Sequence, residues 1–333
     1  MDLDVFVAVH TDEWRRLDEL VRRRRRLSGA EADELVELYQ RVSTQLSVVR
    51  SSSPDPGLVT RLSSLVARAR SAVTGAHTPA WRDVVRFALV VFPAVAYRYR
   101  RWWLVSALGS LAVAAAFGAW LVANPHVLTQ LAPPSYLKEY AQHDFQAYYG
   151  EYQASHFASE VWTNNVWVAA QALAYGIMLG IPTAFVLWQN AVNLGVSGAV
   201  MIVYGKGSLF FGLIAPHGML ELTAVFLAGA AGMKLGWTII DPGPRRRLDA
   251  LAAEGRAAVS VALGLVVVLA VSGAVEAFVT PSPLPTWARV GIGAVVEAAF
   301  LTYVIVFGRR AVRAGETGDL RVGERDDVAP TTG

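Results

Sequence analysis

The sequence has no cysteine, which excludes disulfides, thiolate metal sites and a cysteine nucleophile. It is also short of charge. Asp, Glu, Lys and Arg make up 17% of the 333 residues, against about 25% in a typical soluble domain. The deficit is local, because stretches of about twenty residues carry one ionisable group or none, as membrane spans do. Soluble catalytic signatures are missing as well. Gly205-Lys206-Gly207-Ser208 is a fragment of a phosphate loop without its spacing, and there is no Gly-x-Ser-x-Gly elbow and no His-Glu-x-x-His. The N-terminus lacks an early apolar run with a small-residue cleavage site, so the first span is expected to direct insertion itself. No catalytic residue, metal site or cofactor is expected, and the chain reads as a non-enzyme.

What is present is hydrophobic: 54% of residues, with a mean hydropathy of +0.37. The expected fold is all-α, a polytopic membrane bundle of about six transmembrane helices with an N-terminal cytosolic helical domain. That domain covers residues 1–76. Val5, Val9, Trp14, Leu17 and Leu20 approximate one apolar stripe on a first helix. Ser28 and Glu31 form a capping-box pattern before a second helix with Leu35, Leu38, Val42 and Leu46 on its buried face. Ser51-Ser52-Ser53-Pro54 ends it, and Leu58, Leu62, Leu65, Val66 and Ala69 continue the pattern in a third. The arginine run 22–26 surrounds a helix rather than forming a stripe and has no interleaved aromatics. It fits solvation or anionic lipid better than nucleic acid, and no nucleic-acid partner is expected.

Residues 77–102 read as a juxtamembrane helix starting at Thr78-Pro79, with residues 79–97 apolar enough to lie in the interface. Arg98, Arg100 and Arg101 beside Trp102-Trp103 mark a cytosolic boundary. The bundle covers residues 103–308, with spans at 103–123, 166–188, 191–215, 216–239, 257–279 and 287–307. Basic segments at 98–101, 245–256 and 309–313 then all fall on the cytosolic side, where both termini are expected. The third span is the least regular, since Gly205-Lys206-Gly207 suggests a broken or re-entrant helix. The external loop, 124–163, is acidic overall, with Phe145, Tyr148, Tyr149, Tyr152, His156 and Phe157 at helical spacing on an amphipathic helix. Residues 309–333 read as a disordered cytosolic tail.

Ionisable groups within spans cost about 2.5–3.5 kcal/mol each on insertion scales, so they require a reason. His217 and Glu221 are four apart and share a helix face. The topology brings Asn164 and Asn165 to the same outer level, with Lys206 near them on the third span. Glu276 lies at a similar level and Glu297 nearer mid-membrane. Such a cluster suits a polar cavity, a proton-responsive site or a substrate path. It equally suits a hydrogen-bond network that orients helices, such as Lys206 paired with Glu221. One His and one Glu supply only two metal ligands.

Asn164-Asn165 opening a span, Asn190 and Asn193-Leu194-Gly195 after it, and above all Pro216-His217-Gly218-Met219-Leu220-Glu221 resemble the stage II sporulation protein M family, also described as the DUF95 integral membrane family. Leu227-Ala228-Gly229-Ala230-Ala231-Gly232 extends the likeness, which covers about residues 100–308. The motif carries Asn193, Gly195, Pro216, His217, Gly218 and Glu221. Pro216 suits a first helical turn, and Gly218 permits close approach of a neighbouring helix. The Arg- and Ala-rich composition resembles an actinobacterial member. The resemblance implies a multi-pass protein of the bacterial cytoplasmic membrane, sporulation-related, without established catalysis. It implies a scaffold that places membrane or cell-envelope partners such as peptidoglycan hydrolases, with homo-oligomers among its assemblies and the lipid bilayer as its surroundings. The alternative is a transporter or permease subunit using the polar cluster.

Overall fold

The computed structural model describes residues 3–23, 27–52, 55–73, 80–145 and 154–318, with side chains at all of these except 4, 52, 80 and 154–162. The described residues are helical and contain no strand. They form two compact units, Met1–Val84 and Val85–Gly333. The arginines at 24–26, the Thr78-Pro79 helix start and the tail beyond residue 318 lie outside the described residues. So do Tyr148, Tyr149, Tyr152 and the side chains of His156 and Phe157.

In the first unit, α1 (Leu3–Arg22), α2 (Gly29–Ser52) and α3 (Pro56–Val73) enclose a common core. Trp14, Leu17 and Leu20 meet Leu35, Val42 and Val49 of α2 and Leu62, Leu65 and Ala69 of α3. Val5 and Val9, expected on the buried stripe, are exposed. Phe6 and Val7 pack against the core in their place. Polar bonds at Gln45 join α1 to α2 beside it, with Trp14 Nε1 donating to Gln45 Oε1 at 2.7 Å and Gln45 Nε2 donating to Glu13 Oε2.

The capping box forms as read. The Ser28 backbone N–H donates to Glu31 Oε2 at 2.8 Å, and the Glu31 N–H donates back to Ser28 Oγ at 3.3 Å. The bond from the Ser28 backbone, followed by that from its hydroxyl, holds the Glu31 carboxyl below its ordinary 4.5. A depressed carboxyl contributes stability that is present above its unfolded value and is lost as pH falls through the folded one. Acidification below pH 4.5 should therefore unravel the start of α2, seen as faster amide exchange at residues 29–32 in the full protein. Glu31→Gln should flatten that dependence, and Ser28→Ala should cost ~1 kcal/mol at neutral pH. An unchanged pH profile in Glu31→Gln would contradict the box.

At the boundary between the units, α4 (Ala80–Arg86) continues through a wide turn, Phe87–Val91, into α5 (Phe92–Arg98) of the second unit. This helix does more than lie in the interface. Phe92, Pro93, Val95 and Ala96 are buried, while Trp81, Val84 and Leu89 are exposed. Among the described residues, five helical stretches are long and apolar enough to cross a membrane. They are α6 (Arg100–Ala123), α10 (Ile181–Val203), α11 (Gly207–Ile240), α12 (Arg247–Phe278) and Thr286–Arg313, the last comprising α13 (Thr286–Tyr303), a wide turn and α14 (Arg309–Arg313). Among them lies α9 (Ala154–Ala174), whose asparagines lower its hydropathy. It runs in the same direction as α11: Asn165 bonds Glu221, and Gly176, just beyond its end, touches Gly232.

The helix boundaries differ from the expected spans. The stretch 166–188 contains a reversal at Leu179-Gly180, both with left-handed backbone (φ 61° and 74°). The stretch 191–215 reverses at Tyr204–Lys206, where Gly205 has φ 74°. Gly-Lys-Gly is thus a turn between two full helices, neither broken nor re-entrant. The expected span 216–239 is the second part of α11, whose 34 residues rise about 51 Å and exceed a ~30 Å hydrocarbon core. Pro216 consequently sits inside a helix instead of in its first turn. Its missing N–H cannot bond the Gly212 carbonyl, and its ring crowds that same carbonyl, which is the ordinary cost of a proline inside a helix.

The arginine-rich segments share one end of the bundle. Arg98 and Arg245 both reach Glu254, and Trp102 packs on Trp237. At the other end, α7 (Pro125–Leu131) and α8 (Pro134–Glu139), followed by a wide turn at Tyr140–Asp144, pack through Leu128, Leu137 and Phe145 onto Met201 and Phe210.

Candidate functional site

His217 lies ten residues into α11, about 15 Å along its axis. Its side chain is buried, with the residue 3% exposed. Nδ1 is 3.2 Å from Thr280 Oγ1, and Nε2 is 3.6 Å from Glu276 Oε1. The His217 carbonyl accepts a 2.9 Å bond from Ser272 Oγ. Ser272, Glu276 and Thr280 are four apart, so α12 and its end grip one point of α11 through a single polar face. Glu276 is 1% exposed, and neither of its carboxylate oxygens receives a hydrogen bond from a described residue.

One turn further along α11, Glu221 accepts a hydrogen bond from the Asn165 side chain of α9. His217, Glu221 and Asn165 line a chamber of about 470 Å³, completed by Asn190, Asn193 and Ser197 of α10. Positions 190, 193 and 197 recur at helical spacing, so one face of α10 presents all three. Tyr136, Tyr140 and Asp144 line the chamber from the segment after α7, and Tyr140 is hydrogen-bonded to Ser197. The chamber occupies the half of the bundle away from the arginine-rich end.

The structure thus brings together three of the five residues singled out by sequence: Asn165, His217 and Glu221. Asn164 is exposed and does not line the chamber. Lys206 sits in the turn before α11. Fifteen residues separate it from Glu221, about 22 Å of helix rise, so the two do not pair. Gly195 packs on α6, where a Cβ would lie 2.7 Å from the Ala114 carbonyl oxygen. Gly218 does not serve close helix approach. Among the described residues, a Cβ there would meet only Ile214 Cγ2 of its own helix, at 2.8 Å, and the glycine borders open volume. Glu297 is bonded by Thr223 at 2.8 Å, outside the chamber. Besides the lining residues Tyr136, Tyr140 and Ser197, the residues that sequence reasoning missed are Ser272 and Thr280. Their signal was the four-residue polar spacing through Glu276 in an otherwise apolar run. Among the described residues, no three of His, Cys, Asp or Glu are grouped to hold a metal.

A family model described as Stage II sporulation protein M matches residues 107–281, more than half of the chain. The chain belongs to the stage II sporulation protein M family. The matched region of this family member runs from α6 to just beyond α12 and contains every described residue that lines the chamber. Residues 4–75 match a second model, Domain of unknown function (DUF8413), which coincides with α1–α3. An uncharacterized protein of Methanocaldococcus jannaschii is 33% identical over 78 residues, 23% of this chain and 44% of that protein. The matched stretch therefore spans less than half of that relative's length. No solved structure matches the chain.

Proposed function

We propose that this family member is a non-catalytic scaffold of the cell envelope. In this reading it sits in the bacterial cytoplasmic membrane and positions membrane or peptidoglycan-remodelling partners, peptidoglycan hydrolases and further copies of itself included. The observation that carries the reading is where the polar lining stops. Beyond Glu221, α11 continues with Ala224, Leu227, Ala228 and Ala231, packed against Ala172, Val261, Leu265 and Val268. A blind chamber behind an apolar layer suits a fixed binding or docking feature better than a path across the membrane. The clustered arginine ends support a cytosolic position for that end and for both termini, because basic residues are retained there.

The test is crosslinking in native membranes followed by affinity purification in mild detergent. Defined envelope proteins, peptidoglycan hydrolases among them, should co-purify with the full chain. Recovery of the protein alone would count against the scaffold. Flux in proteoliposomes that disappears in Glu221→Gln, with folding intact, would favour the transporter reading.

A further inference from the structure

Beside the polar chamber runs a second cavity of about 710 Å³ between α6, α10 and α11. Its walls are nearly all carbon, and small residues open it: Ala115 and Gly118 of α6, Gly198 of α10 and Ala215 of α11. Along α6 it extends from Leu111 to Ala123, a rise of about 18 Å, slightly more than one leaflet of a ~30 Å hydrocarbon core. It lies in the same half of the bundle as the chamber.

The two cavities share a wall. Leu194, Ile214, Gly218 and Leu222 line both. Gly218 is the thin point of this wall, because among the described residues no atom of another helix would lie within 4 Å of a Cβ there. A glycine in the family motif that contacts no neighbouring helix among the described residues keeps space open rather than closing it.

We infer that the adjoining cavities bind one membrane lipid, its acyl chain in the apolar groove and an uncharged, hydroxyl-rich head in the polar chamber. The juxtaposition of a leaflet-length carbon groove with a polar chamber fits an amphiphile. The chamber's composition selects the head. Its described ionisable lining residues are Asp144, His217 and Glu221, with no Lys or Arg. A phosphate would face carboxylates without a cation to receive it. Sugar or polyol hydroxyls donate to carboxylates and to amide oxygens, and accept from the amide groups of Asn165, Asn190 and Asn193. The tyrosine rings of Tyr136 and Tyr140 add flat apolar surface beside them. Such bonds strengthen where water is scarce. The inference rests on the cavities alone and is independent of the scaffold reading.

The experiment is native mass spectrometry of the full-length protein titrated with monogalactosyldiacylglycerol, phosphatidylglycerol or phosphatidylethanolamine. One galactolipid should bind, preferred over either phospholipid by about tenfold, the equivalent of ~1.4 kcal/mol. Ala115→Trp fills the groove from an exposed position, and Gly218→Leu plugs the junction. Each should weaken galactolipid binding at least about tenfold while the circular dichroism and melting of lipid-free protein stay unchanged. If Gly218→Leu does not fold, Ala115→Trp alone decides. Phospholipid binding as tight as galactolipid binding would overturn the inference. So would unchanged galactolipid affinity in folded Ala115→Trp, or equal affinity for free galactosylglycerol without acyl chains.

Discussion

Gly232→Leu should leave no monodisperse folded protein after extraction, whereas Gly291→Leu should melt at or above the wild-type temperature. At Gly232 the backbones of α9 and α11 are in contact, and a side chain of α10 closes on the same point. A Cβ there would lie 2.1 Å from the Ala172 carbonyl oxygen of α9 and 2.9 Å from Thr183 Oγ1 of α10. Gly176, four residues after Ala172, approaches as closely, its own Cβ position 2.3 Å from the Gly232 oxygen. The Thr183 hydroxyl donates to the same Ala172 oxygen at 2.8 Å, so the groups that would have to move are already committed. Overpacking in cores typically costs ~1–3 kcal/mol when side chains can yield. Here the first obstacle is backbone, and yielding would separate α9 from α11 along the apolar layer beyond the chamber. Gly291 has nothing within 4 Å of its Cβ position and is exposed on α13. There, removing a helical glycine recovers up to ~1 kcal/mol of propensity. Fluorescence-detected gel filtration and thermal melting in detergent separate the two variants. A Gly232→Leu protein that melts like wild type would mean that the α9–α11 contact is not as drawn.

The same contact explains how much the sequence could reveal. Apolar runs and arginine-rich ends were legible because both are properties of composition within a window. The His217–Glu221 face was legible because four residues separate the pair on one helix. Chain reversals at Leu179-Gly180 and Gly205 were not. Met178-Leu179-Gly180-Ile181 stays hydrophobic through its turn, so hydropathy does not dip where the direction changes. The signal was conformational, a left-handed glycine followed by Ile181-Pro182 at the next helix start, a favourable place for proline. Missing that turn shifted the following spans, and the shift placed Lys206 inside the membrane beside Glu221. Pairing across helices was the second gap. Nothing local to Gly218 distinguishes a glycine that admits a helix from one that borders a cavity, since the difference lies in which residues of α10 stand opposite. Ser272 and Thr280 were visible as spacing but acquired meaning only when α12 was laid against His217.

Glu254→Leu should be the most damaging substitution at the arginine-rich end. Glu254 is 2% exposed on α12. Its Oε2 accepts a 2.6 Å bond from the Tyr99 hydroxyl, and its Oε1 accepts one from Arg98 Nη2 at 3.0 Å, with Arg245 Nη2 at 3.8 Å. Tyr99 is equally enclosed, at 2%. These contacts fasten the junction of α5 and α6 to α12, far along the chain. Arg98 therefore does more than mark a membrane boundary, because it closes a tertiary ion pair. Removing the carboxylate strands a cation and a phenol in a site built for an anion, and breaking a buried pair from one side costs ~3–5 kcal/mol. Tyr99→Phe deletes one hydrogen bond and leaves the charges matched, so it should cost only ~1–2 kcal/mol. Glu254→Gln keeps an acceptor for Tyr99 and should fall between them. Arg98→Leu combined with Glu254→Leu should be less damaging than the sum of the two single variants, since the second change removes the charge that the first left unpaired. Thermal melting in detergent gives the order, and limited trypsin cleavage at Arg98–Arg101 reports whether the junction has loosened. Strict additivity in the double variant, with Glu254→Leu melting near wild type, would show that the pair is a surface contact of little consequence.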